Sequence, residues 1–170
     1  MRGQGRGNYE SEFYMNDFKN IKSEDLIPLF LTILPELKHD WEEHLTYWGN
    51  EKRCDYIDLA VLDHFIINSY EKKTTDKFPE FFNLIENLLK SGSAEIQGLV
   101  VVGILEDIQT ISTHYDFGPD VFVHWLGPVS KKAWLEIAEL WKDKQSLADI
   151  VRDEVKQSKK RKDINPGQQN

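Results

Sequence analysis

The hexapeptide His39-Asp40-Trp41-Glu42-Glu43-His44 sets two imidazoles around three carboxylates, the residue types of a zinc hydrolase. Zinc needs both rings on one helical face, which takes a spacing of about four residues. His39 and His44 are five apart, about 140° around a helix, so the motif is refused. His39 with Glu43 and Asp40 with His44 have the spacing of surface pairs. A second group is Glu106, Asp107, His114, Asp116 and Asp120. Glu106, Asp107 and His114 would suit a metal-assisted hydrolase if the fold brought them to one ion. Nucleophilic chemistry has less to stand on. No Gly-x-Ser-x-Gly elbow occurs, and Cys54 is the only cysteine, with no base near it in sequence. It is expected to be a buried or capping thiol. No cofactor is implied.

Glu106 and Asp107 ride on Glu95-Ile96-Gln97-Gly98-Leu99-Val100-Val101-Val102-Gly103-Ile104-Leu105, continuing through Ile108 to Ile111. A phosphate loop is excluded, because no Gly-Lys-Ser/Thr follows Gly98 and Gly103. A strand would need a turn signal, and the pattern runs on without a breaker. Helix remains. Its apolar residues surround the axis, so it should be central, with the glycines allowing close approach of neighbours. Glu106 and Asp107 are expected just past the buried section, reaching solvent or a partner. Asp63 falls on an apolar arc with Tyr56, Leu59, Ile67 and Tyr70, which predicts a hydrogen bond to a core tyrosine or backbone amide.

The punctuation along the chain is helical. Ser23 is placed to cap a first helix ending near Leu34, interrupted at Pro28, and Pro35 begins a second reaching Trp48. Asp55 caps a third to about Glu71. Asp76 caps a fourth, in which Phe81, Phe82, Leu84, Ile85, Leu88 and Leu89 fill one arc and Glu80, Asn83, Glu86, Asn87 and Lys90 the other. Gly92 closes it and Ser93 opens the central helix, to about Ser112. A short sixth begins at Pro119, a seventh is capped by Ser130, and an eighth covers 146–157. The fold class is all-α, with about eight helices as a HEAT-like stack of antiparallel pairs or an irregular bundle. Residues 1–14 suit a flexible leader, 15–157 one domain and 158–170 a disordered basic tail.

The net charge of −8 is unevenly spread. Residues 1–14 sum to zero and 156–170 to +4, which leaves −12 on residues 15–155. Such a body repels nucleic acid and anionic lipid and attracts basic proteins. No apolar run spans a bilayer and no secretory signal is legible, so a cytoplasmic protein is expected. The expected partner contacts are Glu106, Asp107, Asp116 and Asp120, with Trp41 and Trp48, seven apart on one helix, as anchors.

Gly103, Leu105, Glu106, Asp107, Ile108 and Gln109, followed by Leu126, Gly127, Pro128, Ser130 and Trp134, resemble the pattern of an uncharacterised bacterial family of small all-helical proteins. The resemblance covers residues 26–142. Proteins of this kind resemble immunity proteins of polymorphic toxin systems. That likeness implies a non-enzymatic domain that binds and silences a basic toxin. An adaptor unrelated to toxins and the metal-assisted hydrolase are the alternatives.

Overall fold

The computed structural model describes residues 18–164, and among them it contains helices and turns but no strand. The all-α expectation holds. The leader, residues 1–14, lies outside the described residues. Two short 3-10 turns, Phe18–Asn20 and Ser23–Asp25, precede α1 (Leu26–Ile33), α2 (Leu37–Trp48), α3 (Asp55–Glu71) and α4 (Phe78–Ser91). The central helix, α5, spans 94–112. A 3-10 segment, Pro119–Trp125, then leads to α6 (Pro128–Ile164).

The local signals act with small shifts. Ser23 opens a 3-10 turn rather than capping α1, and the Asp25 carboxylate closes that turn by accepting the Lys22 backbone N–H at 2.9 Å. Pro79 sits in the first turn of α4, where its missing N–H has no helical partner to lose. Ser93 caps α5 as expected, its hydroxyl accepting the Ile96 N–H at 3.3 Å. The expected seventh and eighth helices are one. No glycine or proline lies between Val129 and Ile164, so nothing stops α6, which continues into the first residues of the expected tail.

The chain divides into two compact units between Trp134 and Leu135. In the first, the start of α5 packs on α4 and the rest of it on α3, while α1 and α2 also rest on α3. This is a helical bundle about a central helix. Its core holds Phe30, Phe78, Phe81, Phe82 and Phe122, all essentially inaccessible. Each such ring contributes roughly 1.5–3 kcal/mol by burial. The second unit is the rest of α6, with exposed pairs Glu139–Lys142 and Asp149–Arg152 and the Lys144 ammonium 4.6 Å from the Trp141 ring centroid.

Candidate functional site

α5 is not uniform. Ala94–Val100 and Asp107–Ser112 are α-helical, but Val101–Glu106 between them is wound as a π-helix. Such a widened stretch is rare and is often found at functional sites. It delivers Glu106 and Asp107, both half-buried, to the α3 side of the bundle. Gly103, inside it, has Leu59 and Tyr56 of α3 so close that a Cβ would lie 2.9 Å from the Leu59 Cδ1. Asp63 on α3 is fully buried, and among the described residues neither carboxylate oxygen has a hydrogen-bond partner. The expected tyrosine or amide partner is therefore not there. Burial, and then the charge of Asp107, raise its pKa well above the ordinary carboxylate range. Asp107 is raised as well, by burial and then by Glu106, with the exposed His64 acting the other way.

The sequence placed Glu86 on the polar arc of α4, and the structure corrects this. Its side chain is 6% exposed. One carboxylate accepts the Val129 N–H at 3.1 Å, the Ser130 N–H at 2.8 Å and the Ser130 hydroxyl at 2.8 Å, while Lys90 pairs with it at 2.9 Å. Burial pulls its pKa upward. The Ser130 N–H, Lys90, the Val129 N–H and the Ser130 hydroxyl outweigh burial and hold it at about 2. The expected cap, Ser130, instead lies inside α6, and the distant Glu86 does the capping. This accounts for the Leu-Gly-Pro turn. A Cβ on Gly127 would stand 2.5 Å from the Glu86 carboxyl carbon, so only glycine admits the carboxylate.

α2 buries one residue, Leu37. Trp41, His44 and Trp48 lie half-buried on one face, with the Trp41 ring stacked on His44 at 5.3 Å. The expected Asp40–His44 pair gives way to a link between helices. His44 Nε2 lies 2.8 Å from Asp58 Oδ1 of α3, which also accepts from Arg53 Nε at 2.8 Å. His39 and Glu43 do pair, at 3.4 Å, on the surface. Tyr47 is 85% exposed beside Trp48. Cys54 is exposed at the start of α3 and forms no capping hydrogen bond through its side chain.

The predicted acidic contacts fall in three places. Glu106 ends the π-helical stretch and Asp107 opens the α-helical one that follows it. His114 and Asp116 line an open groove with Tyr70, Lys73, Phe117 and Trp125. Asp120 is exposed on the following segment and does not line that groove. Among the described residues no three His, Cys, Asp or Glu side chains are placed to hold one metal ion. Glu106, Asp107 and His114 are thus not gathered into one centre.

A family model described as a domain of unknown function (DUF7674) matches residues 27–142. The chain belongs to that family. The DUF7674 span coincides with the stretch of the sequence resemblance, and it includes α5, the Glu86 cap and the groove. No curated protein and no solved structure matches the chain. Among the described residues of this DUF7674 protein, no helix is long and apolar enough to cross a membrane.

Proposed function

We propose that the protein is a non-catalytic binding domain that captures a basic protein through an acidic, aromatic surface. In its sharper form it is a cytoplasmic immunity protein that neutralises a cognate bacterial toxin. The observation that carries this is α2, a twelve-residue helix that buries only Leu37. It presents Tyr47, Trp41 and Trp48 among Asp40, Glu42 and Glu43. Aromatic anchors set among three carboxylates and one lysine, Lys38, make an acidic surface of the kind a binding hot spot uses, and the −12 on residues 15–155 favours a positive partner.

The test pairs the purified chain with basic proteins encoded beside its gene, measured by calorimetry and by rescue of growth when the two are co-expressed. Tight binding with rescue, both lost in a Trp41→Ala/Trp48→Ala variant that keeps its helical content, is the expected result. Binding without rescue would favour an adaptor, and absence of any basic partner would remove the proposal.

A further inference from the structure

Between the end of α3 and the chain from His114 to Trp125 lies an open groove of about 690 Å³. Four half-exposed aromatic rings wall it, those of Tyr70, Tyr115, Phe117 and Trp125. The rings are set at angles to one another. Tyr70 meets Phe117 at 4.7 Å and 54° and Trp125 at 6.3 Å and 83°, while Phe117 and Tyr115 lie nearly parallel at 5.2 Å. Tyr70 is backed by the buried Phe122 at 5.3 Å, which fixes its plane. Two exposed carboxylates, Glu71 and Asp116, share the lining with one cation, Lys73, and with His114. Aromatic faces attract a desolvated cation through their quadrupole, and a nearby carboxylate supplies its counter-charge. The size suits a side chain with flanking peptide rather than a bare ion.

We propose that this groove receives a cationic side chain of a protein partner, an arginine, stacked on one ring of the Tyr70, Phe117 and Trp125 wall, edged by the others, and paired with Asp116. Arginine is chosen over lysine because its planar guanidinium both stacks on a ring and bonds a carboxylate in two places. The proposal rests on the reading of the chain as a binder of basic protein and names the chemistry of one contact. Lys73 opposes the incoming charge, so its removal should tighten binding.

The probe is N-acetyl-L-arginine amide, titrated into the ¹⁵N-labelled full chain, with the neutral isostere N-acetyl-L-citrulline amide alongside. Saturable millimolar binding is expected, with shifts confined to residues around 70–75, 114–117 and 125 and at least tenfold weaker binding of citrulline. Asp116→Asn and Trp125→Leu should each weaken it several-fold, whereas Asp120→Asn, outside the groove, should not. Equal shifts from both compounds, or arginine shifts untouched by Asp116→Asn and Trp125→Leu in folded protein, would overturn the assignment. Capture of a basic protein through α2 would survive that result. Conversely, groove binding with no basic protein partner would leave the arginine site standing and remove the functional reading.

Discussion

Asp63 and Glu86 are both buried carboxylates, and their surroundings drive them in opposite directions. Asp63 has no hydrogen-bond partner among the described residues and faces Asp107 across the α3–α5 contact. Its proton is held more tightly in the folded chain than in the unfolded one, where the ordinary value is 3.8. The stability tied to that proton is complete below the unfolded value and is lost as pH rises through the raised folded one. Asp63→Asn keeps the shape and cannot ionise. It should be more stable than the natural chain at pH 8, by about 1–3 kcal/mol, with the gap closing toward pH 4 in urea denaturation. Parallel curves for the two proteins would show that Asp63 does not titrate. Glu86 runs the other way. Its contribution is present above the ordinary 4.5 and is lost as pH falls through about 2. Glu86→Gln should therefore cost about 1–3 kcal/mol at pH 7 and little near pH 2, in the same assay.

At the scale of elements, two junctions depend on backbone geometry. α3 ends with Lys73 at φ 60°, the left-handed region, while the Thr74 N–H reaches back to the Ser69 carbonyl at 2.9 Å. This is a Schellman-type end made without the usual glycine. A side chain there is strained by roughly 1–2 kcal/mol, of which glycine's greater freedom when unfolded returns a part. Lys73→Gly should then raise stability by about 0.5–1 kcal/mol, read as a higher urea midpoint at unchanged slope. A lower midpoint would mean that the lysine makes a compensating contact. The second junction is the start of α6. Gly127→Ala should displace Glu86 and lose about as much as removing the carboxylate, 1–3 kcal/mol by the usual cost of unpaired buried donors. If the loss from Gly127→Ala and Glu86→Ala together equals that of either alone, the two act through one contact.

At the scale of the molecule, the uneven charge governs encounters more than it governs the fold. A body carrying −12 over residues 15–155 should meet a basic partner quickly at low salt. Stopped-flow association should slow on the order of tenfold between 50 and 500 mM salt, while dissociation changes less. A salt-independent association rate would show that charge does not steer the capture. The groove and the α2 face are separate surfaces in the first unit, and variants in one leave the other intact as a control.

Periodicity determined the helices, because an apolar arc must be covered whatever covers it. It also set α5 against both α3 and α4, although the face bearing Gly98 and Val102 is exposed, so an apolar circumference did not bring neighbours on every side. The Ser93 cap, Pro79 in the first turn of α4 and the absence of strands among the described residues follow from local chemistry that no tertiary contact overrides. What a long-range partner decides could not be read this way. Glu86 sits on a polar arc until Ser130, far along the chain, folds over it and buries it. His44 could pair with Asp40 on its own helix, but α3 offers Asp58 in a geometry already shared with Arg53. Nothing in one sequence announces that Asp63 is left unpartnered or that α5 widens to a π-helix at Val101–Glu106. Both depend on which side chains α3 and α5 bring against each other, and spacing along a chain carries no record of that meeting.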